Sequence, residues 1–133
     1  MTDPIADMLT RIRNASLVKA TEVSLPLSKL KHNIAKILVE THWLDKAEVF
    51  GDEAKPASRR LKLTLKYRDD GRSVISSIRR VSKPSHRIYV DKKSLPRVLN
   101  NLGLAIISTP SGLMTNKEAG KRGLGGEVIC EIY

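Results

Sequence analysis

The sequence predicts an α+β protein of two small α/β lobes, an N-terminal one ordered α-β-α-β-β and a C-terminal one that is mostly antiparallel sheet with short helices. Three observations predict it. Apolar residues recur at helical spacing in two early stretches and then switch to period-two alternation. The order of elements is too irregular for βαβ winding. Asp69, Asp70 and Gly71 form a turn signal where the charge balance also changes: residues 1–70 hold 13 basic and 10 acidic side chains, a net +3, and residues 71–133 hold 11 and 4, a net +7. Lobes at 1–70 and 71–133 follow, and 133 residues at 41% hydrophobic content suffice for a buried core.

In the first lobe, Asp3 and Pro4 suit the N-cap and first position of a helix whose apolar face is Ile5, Met8, Leu9, Ile12 and Ala15. A short strand through Val23 and Leu25 stops at Pro26. Ser28 then caps a second helix, with Leu30, Ile34, Ile37 and Leu38 on its apolar face and Lys29, Lys31, His32 and Lys36 on the other. That basic face has two readings, a solvated surface or a phosphate-contacting one. Ala47–Phe50 reads as a strand and Gly51–Ser58 as a loop. Arg59–Arg68 alternates most clearly, with Leu61, Leu63, Leu65 and Tyr67 set against Arg60, Lys62, Thr64, Lys66 and Arg68.

In the second lobe, Val74–Ser82 and His86–Val90 read as strands about the turn Lys83, Pro84, Ser85. Ser94, with Pro96 at N1, opens a short helix that a left-handed Gly103 closes. Leu104–Ile107 is apolar without alternation, as a strand buried on both faces is. Thr115 and Glu118 match a capping box at the start of a helix over Asn116–Arg122, which Gly123 stops. Val128, Cys130 and Ile132 alternate with Ile129, Glu131 and Tyr133 in a closing strand.

The net charge of +10 points to a polyanionic partner. The single cysteine, Cys130, sits in an apolar strand and reads as a buried structural thiol. The start of the chain has no long apolar run, which predicts neither a secretory signal nor a membrane span but a soluble intracellular protein. Neither early helix pairs a broad aromatic and leucine face with a dense basic one, which argues against membrane binding.

Enzyme chemistry finds no support. His32, His42 and His86 lie far apart and match no zinc spacing, so no metal and no cofactor is expected. Ser108 and Ser111 in STPSG do not form a nucleophile elbow. Gly120, Gly123, Gly125 and Gly126 beside Lys121 and Arg122 lack the phosphate-loop pattern and read as bends and close backbone approaches. The C-terminal lobe's acids, Asp91, Glu118, Glu127 and Glu131, form no metal pattern in sequence, and no small-molecule substrate is implied. Nucleic acid remains. Only 4% of residues are aromatic and no RNP1-like run of alternating aromatics occurs, which argues against a platform for stacking successive unpaired bases and favours a folded or double-stranded target. The shallow minor groove of A-form RNA is read by small donors and acceptors, and Ser108, Thr109, Ser111 and the backbone at Gly112 supply them; the alternative reading of STPSG is an ordinary turn. Tyr89, near His86 and Arg87, is either a stacking aromatic or a core tyrosine on an edge strand.

The runs DPIADMLTRIRN (Asp3–Asn14), RVSKPSHRIYV (Arg80–Val90), LGLAIISTPSGLMTNKEA (Leu102–Ala119) and GLGGEVIC (Gly123–Cys130) together resemble the small-subunit ribosomal protein eight family, bacterial type, in the right order and across the whole chain. The resemblance implies a non-enzymatic structural constituent of the small ribosomal subunit in the cytoplasm. It implies primary binding to the central domain of small-subunit ribosomal RNA, at a helix with an irregular internal loop, early in assembly of the platform. It further implies ribosomal proteins five and twelve as neighbours and, as an alternative role, repression of translation through the protein's own operon messenger RNA. Residue by residue, it assigns RNA reading to Ser108, Thr109 and Gly112, supported by Tyr89, Gly125, Gly126 and Glu127; Arg87, close to Tyr89 in sequence, is a further candidate RNA contact. The N-terminal share falls to Thr2, Asp3, Arg13, Asn14, Lys29 and Lys31. The family's usual loop is Ser-Thr-Ser, a basic residue and Gly; here Pro110 and Ser111 take the third and fourth places, so Ser111 brings the hydroxyl one position later.

Overall fold

The computed structural model describes residues 3–133; Thr2, to which the resemblance assigns an RNA contact, lies outside the described residues. Its three α-helices and two antiparallel sheets make an α+β fold. Two compact units emerge: Thr10–Ile75, and Ser76–Tyr133 together with the start of the chain as far as Leu9.

Helix α1 (Pro4–Leu17) begins in the second of these units and ends in the first. Its start follows from Asp3, whose Oδ1 accepts the Ala6 N–H at 3.1 Å, and from Pro4, whose missing N–H needs no partner there. Ile5, Met8, Leu9 and Ile12 are buried at helical spacing.

In the 10–75 unit, β1 (Glu22–Pro26) and β2 (Leu44–Phe50) flank β3 (Arg60–Leu65), both antiparallel to it. The alternation holds on β3: Leu61, Leu63 and Leu65 are buried, and Arg60, Lys62 and Thr64 are half-exposed. Pro26 ends an outer strand, where its lack of a donor leaves the sheet intact. Helix α2 (Lys29–Glu40) is capped by Ser28, whose Oγ accepts from the Lys31 N–H, and packs against β2. Its inward stripe keeps Ile34 and Leu38 of the predicted one but replaces Leu30 and Ile37 by Lys31 and Ala35. Lys31, Ile34, Ala35 and Leu38 are buried, whereas Leu30 is 42% exposed. An i, i+3, i+4, i+7 stripe through the buried Ile34, Ala35 and Leu38 includes residue 31, and a lysine tolerates this because its methylene stem is apolar. The loop over residues 51–58 holds one 3₁₀ turn, Pro56–Ser58.

In the second unit, β8 (Gly126–Ile132) carries β6 (Leu104–Thr109) along one edge, and β4 (Ile78–Arg80) and β5 (Tyr89–Val90) along the other. Strand β7 (Gly112–Thr115) pairs with β6 as a hairpin and runs directly into helix α3 (Asn116–Arg122). Burial at Val128, Ile129, Cys130 and Ile132 shows both faces of β8 covered. One face packs Ala105, Ile107, Met114 and Val128 with Ala119 and Val98.

Several predicted elements change. The strands expected over 74–82 and 86–90 contract to β4 and β5, and β7 was not foreseen. No helix forms over 94–102. Pro96 O, which a helix would bond to residue 100, instead accepts Nδ2 of the buried Asn116 at 2.8 Å, and Leu99, Asn100 and Asn101 all take left-handed φ. Gly103 is needed there for space: a Cβ on it would lie 2.3 Å from Ile132 O. Thr115 caps α3, accepting from Glu118 N–H at 3.1 Å, but the Glu118 carboxylate turns to Arg122 Nε at 2.8 Å, so only half the expected capping box is made. Gly120 lies inside α3 and is not a bend.

All three helices end alike. A left-handed residue, Lys19, His42 or Gly123, donates to the carbonyl three residues back, and the next residue donates five back. Only the third of these stops uses glycine.

Candidate nucleic-acid interface

Antiparallel register aligns four side chains across the second sheet. Tyr89 pairs with Glu127, Glu127 with Ser108, and Ser108 with Leu113, so all four lie in one row on one face. This face is opposite the one that Ile107, Met114 and Val128 turn to α3, because each row member is one residue removed from them. Close backbone approach makes the row possible. A Cβ on Gly126 would stand 2.1 Å from Ser108 O, and one on Gly125 would stand 2.4 Å from Val90 O.

Glu127 is the row's fixed centre, with its side chain 14% exposed. Its Oε2 accepts from Ser82 Oγ at 2.5 Å and from Arg87 Nη1 at 3.0 Å. Ser82 Oγ also accepts the Ile88 N–H at 3.0 Å, tying the segment before β5 to the same point. Burial pushes the Glu127 carboxyl up, but the Ser82 and Arg87 hydrogen bonds and the charges of Arg87 and Arg80 outweigh it and hold it below its ordinary value. The hydrogen bond from Glu127, with its charge, holds the Arg87 guanidinium above its ordinary value. Arg80 lies two residues before Ser82 and pairs with Asp3 at 3.1 Å, their side chains 8% and 18% exposed, while Nη1 donates to Ile129 O at 2.8 Å. Tyr89 beside this network is 68% exposed, so the core-tyrosine reading fails and the ring is free to meet a ligand.

At the end of the row the β6–β7 hairpin turns through Pro110 and Ser111, with Thr109 paired to Gly112. Proline presets its own φ for the first corner, and Gly112 takes φ 108, which a side chain rarely tolerates. Thr109 is buried, and its hydroxyl is occupied within the turn: it donates to Gly112 O at 2.8 Å and accepts from Ser111 N–H at 3.1 Å. The exposed groups of the tip are therefore Pro110, Ser111 and Gly112, with half-exposed Ser108 below them.

The structure thus brings Ser108, Thr109, Ser111, Gly112, Tyr89, Arg87, Gly125, Gly126 and Glu127 to one end of one sheet. Asp3 belongs to the same unit, but its carboxylate serves the helix cap and Arg80. Arg13, Asn14, Lys29 and Lys31 belong to the 10–75 unit; the first three are exposed and Lys31 is 7% exposed. Sequence reasoning missed Arg80 and Ser82 as positioning residues. The signal was present: they alternate with the apolar Ile78 along one face of the expected strand. Cys130 is buried, and desolvation pushes its thiol up to about 12. Among the described residues, no group of three His, Cys, Asp or Glu is placed to hold a metal, and no helix is long and apolar enough to cross a membrane.

The sequence model of the family described as ribosomal protein S8 matches residues 3–133. The chain is 53% identical over 133 residues to the small ribosomal subunit protein uS8 of Caldanaerobacter subterraneus subsp. tengcongensis, covering all of this chain and 98% of that protein. It is 52% identical over 132 residues to uS8 of Bordetella avium, covering 99% and 98%. To uS8 of Clostridium novyi it is 50% identical over 133 residues, covering 100% and 98%.

Proposed function

The chain belongs to the ribosomal protein S8 family, and from that premise we propose that it binds the central domain of small-subunit ribosomal RNA through the polar row and hairpin tip of its C-terminal sheet. It is a constituent of the small ribosomal subunit and not an enzyme. The observation that carries the RNA reading is the row itself: an exposed tyrosine, a hydrogen-bonded carboxylate and a serine held side by side, next to a tip of small polar groups.

A carboxylate in the row repels phosphate and accepts only from donors, so Glu127 selects a 2′-hydroxyl or a base amino group over a backbone oxygen. Both of its contacts fall on Oε2, which leaves Oε1 to accept. Ser108 and Ser111 donate or accept as the groove requires, and Tyr89 stacks on a sugar or an unpaired base of an irregular internal loop. Exposed cations, Arg13 and Lys29 among them, add affinity without reading sequence. Early binding of this kind places the protein in assembly of the platform, with ribosomal proteins five and twelve as neighbours. Repression through its own operon messenger would use the same face on a similar RNA fold.

The test is affinity for a central-domain RNA helix with its internal loop against a plain duplex of equal length. The looped RNA should bind more tightly, and log K should fall with log salt at a slope of roughly −4 for about five phosphate contacts. Tyr89→Ala should cost about 1–3 kcal/mol on the looped RNA and little on the duplex. Equal affinity for the two RNAs would sink the reading. Cosedimentation with assembled subunits, against recovery free with messenger, separates the constituent role from the repressor role.

A further inference from the structure

The second unit carries another basic feature that the reading row does not use. Lys92, Lys93, Arg97 and Lys117 line one cavity of about 330 Å³ with Asn101 and Asn116, and no carboxylate lines it. Elsewhere in this unit the arginines are neutralised: Arg79 pairs with Glu131, Arg80 with Asp3, Arg87 with Glu127 and Arg122 with Glu118. Among the described residues, none of the cavity's four cations has an ion-pair partner.

The cavity is a built feature. Asn116 is buried at its floor, accepting from Ala105 N–H at 3.1 Å and donating to Pro96 O at 2.8 Å, so one side chain staples the 92–101 segment to β6 and to the start of α3. Asp91 Oδ1 accepts the Lys93 N–H and turns the chain into the cavity wall. Val98 and Ala119 are core residues beneath it, packed with Ile107, Met114 and Val128. Those strand residues mark the face opposite Tyr89, Glu127 and Ser108. The core residues beneath the cavity thus belong to the sheet face opposite the row, and unpaired cations held together cost self-repulsion that an anion relieves.

We propose that the cavity formed by Lys92, Lys93, Arg97 and Lys117 binds the sugar–phosphate backbone of a second RNA segment, so that the C-terminal unit sits between two RNA elements, one read by shape and the other gripped by charge. The proposal rests on the RNA-binding reading above. Arg97 offers a planar fork suited to a phosphate, and the lysines act as point charges, so this grip is indifferent to sequence.

The experiment compares wild type with a variant combining Lys92→Ala, Lys93→Ala, Arg97→Ala and Lys117→Ala on two RNAs, the short internal-loop helix and an extended central-domain fragment that includes it. The variant should lose about tenfold in affinity for the extended fragment, with a salt slope shallower by about 2–3, while its affinity for the short helix changes less than about threefold. Backbone footprinting of the extended fragment should show a second protected segment that vanishes in the variant. Equal losses on both RNAs, or no loss on the extended one, overturn the proposal. Thermal unfolding checks the variant's fold, and a Gln substitution set answers the question if the alanine set unfolds. If wild type does not prefer the short helix to a plain duplex, the row's assignment fails, while the extended-fragment comparison still decides the cavity's.

Discussion

The two sheets handle charge in opposite ways. On β3 of the three-stranded sheet, leucines point inward and charged side chains stay wet; its Lys62–Glu22 contact, at 3.7 Å, joins side chains 34% and 55% exposed. The five-stranded sheet draws charge inward: Arg80 with Asp3, and Glu127 with Ser82, sit under cover with hydrogen bonds to fix them, and Glu127 also holds the exposed Arg87. Water makes the first kind of charge interchangeable, whereas burial makes the second positional. The proposed reading surface lies where side chains are fixed before a ligand arrives.

The largest expected effect tests this contrast directly. Arg80→Ala leaves the Asp3 carboxylate without its partner and should cost about 3–5 kcal/mol of folding stability, whereas Lys62→Ala should cost under about 1 kcal/mol. Urea denaturation of both variants measures the pair, and similar small losses would erase the distinction between the sheets. Next comes backbone approach. Gly126→Ala sets a methyl 2.1 Å from a carbonyl held in the sheet and should cost about 1–3 kcal/mol, with loss of the Tyr89–Glu127–Ser108 alignment visible in amide chemical shifts. A smaller effect belongs to the tip: Thr109→Val keeps the volume but strands the Ser111 N–H, for about 1 kcal/mol in thermal unfolding.

The smallest effect is a pH dependence. The native Glu127 carboxyl lies below its ordinary value of 4.5, so its contribution to stability is fully present above that value and is lost as pH falls through the depressed native value. Glu127→Gln should therefore differ from wild type most at neutral pH, and the gap should close on acidification below about 4.5. A gap independent of pH would show that the carboxylate's charge does nothing for this end of the sheet.

Much of the frame was legible because its signals are local. The Asp3–Pro4 start, the Ser28 cap, the Leu61–Leu63–Leu65 alternation and the Thr115 cap each depend on residues within a few positions of one another. The helix stop at Gly123 was legible for the same reason. The equivalent stops at Lys19 and His42 were not, since nothing in a lysine or histidine announces a left-handed turn. The missing helix over 94–102 had proper local signals and lost to Asn116, twenty residues away, which took the Pro96 carbonyl. Lys31 likewise had the chemistry of a surface residue and the position of a buried one.

For the site, the sequence by itself determined which small polar groups sit near the Pro110–Ser111 turn, how much positive charge the chain carries and which family its motifs resemble. Only the tertiary structure decided which of them are available: that Thr109 spends its hydroxyl on the turn, that Asp3 belongs to Arg80, and that Glu127 stands between Tyr89 and Ser108. The physical reason is range. Capping and alternation act over a few residues of chain, but Asp3 and Arg80 lie 77 positions apart and Ser82 and Glu127 lie 45 apart, and such pairs exist only once strands have set their register.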